Sequence, residues 1–208
     1  MNISAKELKR LKAAGETDEN IVELDQTIGI IRDNTKKIVK LIKKRKKILR
    51  LISQDEKIVI NACDGKETFA QSQELFPSGV DENFKAWGLD NQSAATPEIE
   101  AKVYELIGDA TFAQMFKCLG VPLEDLCLTQ DQIIGFRVDS ARWLRDRGYA
   151  TFFLFKRDEK RAATPGNLLV AYVYFRGGGL NVFVSKFAND SVFTAECRHR
   201  VVVPQLTI

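Results

Sequence analysis

The chain has 208 residues, 45% apolar and 28% charged, with a net charge of +3. That balance excludes a disordered tract, and no stretch reaches the roughly 20 apolar residues of a membrane span. The charge is unevenly laid out: residues 34–54 carry nine cations and no acid, whereas residues 61–130 carry twelve acids against four bases. The start, MNISAKELKRLKAAGE, lacks the apolar core of a signal peptide, and the four cysteines form no CxxC pair. A cytoplasmic protein with reduced thiols is the expectation.

In chain order, Ser4 is placed to cap a short helix that stops at Gly15, and Thr17 starts a second with Asp18 and Glu19 in its first turn. Seam positions then recur at alternating spacings of three and four, apolar apart from Thr35 and Arg45, which would act as polar layers setting the register: Ile21, Leu24, Ile28, Ile31, Thr35, Ile38, Ile42, Arg45, Leu49 and Ile52. Sustained over more than four heptads, this spacing predicts one helix over 21–52, about 48 Å long, with a coiled-coil seam. Isoleucine at both core positions leans towards a trimer, so a homo-oligomer, dimer or trimer, is expected. Val39, Leu41, Ile48 and Leu51 widen the stripe, as a helix packed on its own domain would show, and that alternative stays open.

The segment KIVINACDG reads as a short strand ending at Gly65 or as the end of a helix. Thr96-Pro97-Glu98 has the form of a helix start, predicting a helix through Ile99, Val103, Leu106 and Ile107 to Gly108. A second is predicted over Phe112–Leu119, closed by Gly120 and Pro122. A third opens on a Thr129–Gln132 capping box and runs to Leu144, stopping at Gly148. The period then changes: ATFFLFK, NLLVAYVYF, LNVFVSKF and SVFTAECRHRVVV are β-branched and aromatic runs. Gly177-Gly178-Gly179 and Asn189-Asp190 predict hairpin turns, and RDEKRAATPG a longer exposed loop. NLLVAYVYF is apolar on both faces, which predicts a central strand covered on each side. The fold class expected is α+β: a long N-terminal coiled-coil-like helix, a helical segment, and a four-stranded antiparallel meander. The expected domains are 1–54 and 55–208, with helices about 97–147 and strands about 149–203.

Catalytic signatures are sparse. The lone His199 lies between Arg198 and Arg200 with no second ligand at metal-binding spacing. No nucleophile has an adjacent base, and the glycine triplet is followed by a strand rather than the helix that a phosphate loop needs. No catalytic residue, metal or cofactor is therefore assigned. The sharp feature is the basic run, in which Lys36, Lys40, Lys43, Lys47 and Arg50, with Lys44 beside them, form a stripe on the predicted helix. Such a row suits a nucleic-acid backbone or an acidic protein surface.

KAAGETDENIVELDQTIGIIRDNTKKIVK resembles a helix-turn-helix, with a short helix ending at Gly15 and a glycine at Gly29 near the expected turn. It departs from that motif at Asp25, where a small buried residue is usual, and at Ile30 and Ile31, where a small polar one is. The favoured expectation is a non-enzymatic, self-associating interaction protein. Its oligomerisation surface would be Ile21, Leu24, Ile28, Ile31, Ile38, Ile42, Leu49 and Ile52, and its C-terminal domain would do the recognising. The alternative is nucleic-acid binding through Lys36, Lys40, Lys43, Lys44, Lys47 and Arg50.

Overall fold

The computed structural model describes residues 2–44, 47–146 and 149–205, with the backbone alone for residues 38–44. The chain divides into two compact units, Met1–Lys46 and Lys47–Ile208.

The first unit is a helical hairpin. Ser4 caps α1 (Ala5–Ala13) through a capping box with Glu7, and positive φ at Gly15 ends the turn that follows. In α2 (Asp18–Lys44), Asn20 donates its backbone N–H to Thr17 Oγ1 at 3.2 Å, while Asp18 and Glu19 complement the helix dipole. The Asp25 carboxylate accepts the backbone N–H groups of Asn2 and Ile3, the latter at 2.7 Å, tying the N-terminus to α2. Ile3 and Ile21 are buried between the helices. The helix runs unbroken through Gly29, so the resemblance to a helix-turn-helix fails there: no turn forms.

The second unit is a mixed sheet of eight strands with helices on both faces. Its strands are β1 (Leu49–Leu51), β2 (Ile58–Ile60), β3 (Gly79–Val80), β4 (Ile99–Leu106), β5 (Ala150–Lys156), β6 (Leu168–Arg176), β7 (Gly179–Lys186) and β8 (Arg200–Pro204). They lie in the order β1-β4-β8-β5-β6-β7-β3, with β2 also on β4. The helices are α3 (Asn83–Ala86), α4 (Phe112–Lys117) and α5 (Gln130–Asp139). One core layer packs Phe153, Phe155, Ala171 and Val173 of the sheet against Ile133 and Phe136 of α5, with Phe69, Phe76 and Phe84. The other packs Phe152, Leu154, Leu168 and Val170 against Phe112, Met115 and Phe116 of α4. Alternating side chains of β5 and β6 thus enter opposite layers, as the apolar two-faced run predicted.

Several expectations are corrected. The predicted 21–52 helix stops short: residues 49–51 form β1, paired antiparallel with β4 through Leu49–Leu106 and Leu51–Tyr104. Leu49 and Ile52 pack in the sheet unit and Leu49 lies in a strand, so the heptad run is not carried by one helix and the coiled-coil reading falls. Arg45, read as a polar seam layer, lies outside the described residues. The helix predicted from Thr96 is instead β4. Its Ala101 and Val103 alternate with Glu100 and Lys102, and its hydrogen bonds go to β1, β2 and β8. The helix from Thr129 does begin on the predicted capping box but ends at Asp139, followed by a 3₁₀ turn over Ala141–Trp143. Its predicted stop, Gly148, lies outside the described residues.

The four-stranded meander is overturned as well. β5, β6 and β7 do run antiparallel, joined by a hairpin with φ of 60° at Gly177 and 88° at Gly178. β8 does not pair with β7: it lies between β4 and β5, parallel to β5. The reason is packing. Phe193 bridges its backbone to Ala110 and sets its ring 4.7 Å from that of Phe112 and 4.8 Å from that of Phe152, so the chain after β7 crosses the α4 face before pairing again. Asn189-Asp190 is therefore no hairpin.

Candidate ligand-binding cleft

A concavity of the sheet unit, about 1040 Å³ in volume, lies between the 87–94 loop and the connection from β5 to β6. Glu67, Trp87 and Gln130 line it with residues 156–161, Thr164, Gly166 and Asn167. Its walls are held in place by side chains. Gln130, the first residue of α5, donates from Nε2 to Leu89 O at 2.5 Å and accepts from Phe69 N at 3.2 Å, fixing the 87–94 loop to the helix start. The neighbouring Asp131 accepts from Gly65 N at 2.7 Å. Gly65 has a φ of +82°, and a Cβ there would stand 2.3 Å from Ser93 O. Only glycine lets these two loops meet.

The β5–β6 loop is stapled twice. Asn167, itself buried, accepts from Asp158 N at 3.0 Å and donates from Nδ2 towards the carbonyls of Asp158, Arg161 and Ala162 at 3.0–3.3 Å. At the rim, Lys156 Nζ donates to Glu124 Oε1 at 2.6 Å and to Glu159 O at 2.9 Å, and Glu124 Oε2 accepts Ala163 N at 2.9 Å. Only 10% of the Lys156 side chain is exposed. Burial works against its charge, but the Glu124 hydrogen bond and the charges of Glu159 and Glu124 outweigh that and raise its pKa. The Lys156 hydrogen bond in turn holds the Glu124 carboxyl low, against burial. Burial pushes Glu159 up, only partly offset by Lys156. Beneath them the Cys127 thiol, buried beside Glu124, is pushed up to about 12. This charged web closes an eleven-residue connection into a rigid loop, the kind of scaffolded loop that carries recognition.

A second, smaller concavity of about 350 Å³ is lined by Cys63, Asp64, Glu67, Glu74, Asp131 and Asp139. Among the described residues, no group of three His, Cys, Asp or Glu side chains could hold a metal ion. His199 lies elsewhere, half-buried, its Nδ1 accepting from Ala150 N at 3.0 Å and its ring 5.1 Å from that of Phe152. Burial, reinforced by the Arg145 charge, lowers its pKa.

The positions singled out from sequence fall in both units, and several of their side chains lie outside the described residues. Of the oligomerisation set, Ile21 is buried, Ile28 half-buried, Leu24 41% and Ile31 60% exposed, and Leu49 and Ile52 belong to the sheet unit. The side chains of Ile38 and Ile42 lie outside the described residues. Of the basic set, Lys36 is exposed and 3.7 Å from Asp33, Lys47 precedes β1, and Arg50 in β1 pairs with Glu105 at 2.5 Å. The Lys40, Lys43 and Lys44 side chains lie outside the described residues. Sequence reasoning missed the cleft itself. Its one legible sign was the charged connection RDEKRAATPG, because the contacts of Glu124 and Gln130 link positions 32 to 61 residues apart. No described helix is long and apolar enough to cross a membrane. No family model matches the chain, and no curated protein or solved structure is significantly similar to it.

Proposed function

We propose that this chain is a non-enzymatic interaction protein whose sheet unit does the recognising, through the cleft between the 87–94 loop and the β5–β6 loop. The observation that carries this reading is a concavity of about 1040 Å³ whose walls are locked by Gln130, Asn167 and Glu124, so that little ordering remains for a ligand to induce. Trp87 lines the cleft and Trp143 does not, so a Trp143→Phe variant leaves one reporting indole. Emission of that variant should change saturably with a charged or a neutral small probe: pyrophosphate, a capped trilysine peptide or maltotriose. The change should vanish in Gly166→Phe, since Gly166 lines the cleft and a Cβ there meets no atom within 4 Å, so the ring can take up part of the ligand's space. No response to any probe would end this reading.

A second reading is that the basic run of α2 binds a nucleic-acid backbone, supported by Lys36 and Lys37 being exposed on one helix. Binding of a 20-mer duplex that weakens steeply between 50 and 200 mM salt, and drops on changing Lys36, Lys37 and Lys40 to Gln, would support it. No binding at low salt would remove it.

A further inference from the structure

The polar groups lining the cleft divide into those already engaged and those that are not, and the division is not symmetric. The carboxylates are taken. Glu67 accepts Ser72 Oγ at 3.0 Å. Asp158 accepts Lys160 N at 3.0 Å and pairs with Arg161 Nε at 3.2 Å. Glu159 lies 3.8 Å from Lys156 Nζ. Gln130 and Asn167 use their amides on the backbone, as described above. The side chains without a partner among the described residues are Arg157, Lys160, Gln92 and Thr164. Gln92 and Thr164 can donate or accept, and the other two are cations with no anionic partner among the described residues.

From this asymmetry we propose that the cleft takes a small phosphate-bearing ligand, its phosphate held between Arg157 and Lys160; this rests on the cleft being the recognition site. A cationic ligand would have to displace Arg161 or Lys156 to reach Asp158 or Glu159, whereas an anionic one meets Arg157 and Lys160 directly. Two cations offset most of the charge of a diphosphate ester, and the arginine fork engages two phosphate oxygens at once. Both cations sit on the loop that Asn167 and Glu124 hold fixed, so little side-chain-bearing backbone has to be ordered on binding. The volume is far beyond that of inorganic phosphate and lies at the upper end of small-molecule sites, roughly 300–1000 Å³. The ligand therefore has a sizeable organic body, which the indole of Trp87 and the Gly88 and Ala94 backbone can face. A phosphate on a bulky, stackable group, as in a nucleoside diphosphate, fits these terms.

The test is calorimetric titration of the full chain with ADP, pyrophosphate, adenosine and a dT10 oligonucleotide at 50 and 300 mM salt. ADP should bind best, pyrophosphate more weakly and adenosine not detectably, with affinity falling as salt rises. Arg157→Gln and Lys160→Gln should each weaken ADP about tenfold, the loss of one charge-assisted contact. Unchanged thermal melting would show that neither variant is misfolded. Adenosine binding as tightly as ADP, or an Arg157→Gln/Lys160→Gln double variant retaining ADP affinity, would overturn the proposal. So would binding of dT10 alone, which points to a strand rather than a small molecule. If phosphate probes fail while a neutral or cationic probe gives a signal that Gly166→Phe abolishes, the phosphate assignment falls and the recognition cleft stands. If no probe binds, both fall.

Discussion

Changing Asn167 to Ala removes the staple of the β5–β6 loop and tests whether that loop is rigid by construction. The amide has two N–H groups shared among three carbonyls and one oxygen accepting Asp158 N, so it supplies the equivalent of about three hydrogen bonds. At about 1 kcal/mol net each, the loss is about 3 kcal/mol; water reaching the half-exposed loop backbone offsets part of it, leaving about 2 kcal/mol. In a unit of this size that lowers the melting temperature by about 4–8 °C. Urea denaturation followed by circular dichroism gives the global figure, and amide hydrogen exchange across residues 158–164 gives the local one. Asn167→Asp keeps the acceptor for Asp158 N but loses the donors, and should cost at least as much. A melting temperature within about 1 °C of the parent, together with unchanged exchange in the loop, would refute the staple.

Other outcomes follow from the same geometry. Phe153→Ala should cost about 3–5 kcal/mol by urea denaturation, because Phe153 is fully buried with its ring 5.4 Å from that of Phe136 and the site has sheet and α5 around it to hold the cavity open. The folded pKa of His199 lies below the unfolded value of about 6.5, so its contribution is fully present above pH 6.5 and is lost as pH falls towards the folded pKa. Stability should decline with a slope of up to about 1.4 kcal/mol per pH unit in that window, and His199→Gln, which keeps an acceptor for Ala150 N, should flatten it. Cys127, pushed up to about 12 by burial, should react last with a thiol reagent at pH 8, and the exposed Cys118 before it, as peptide mass mapping would show. Cys127 labelling first would contradict its burial.

The sequence by itself determined what depends on near neighbours. The caps at Ser4 and Thr129, the start of α4 at Phe112 and the Gly177–Gly178 hairpin are all settled within a few residues and stand where local chemistry put them, although α4 ends at Lys117, short of the expected Leu119. The apolar runs of β5, β6 and β7 were legible too, since a strand buried on both faces leaves little room for another reading. Tertiary structure decided the rest. Leu49–Leu51 and Ile99–Leu106 carry apolar spacings that a helix would also accept, and they became strands because each supplies the edge the other needs, 55 residues apart at Arg50 and Glu105. The ring of Phe193 against Phe112 and Phe152 sent β8 to the far side of β5. The cleft belongs to that second class: its walls meet only where Gly65 can pass Ser93 and where Gln130 and Glu124 reach across the fold, contacts that no local pattern encodes.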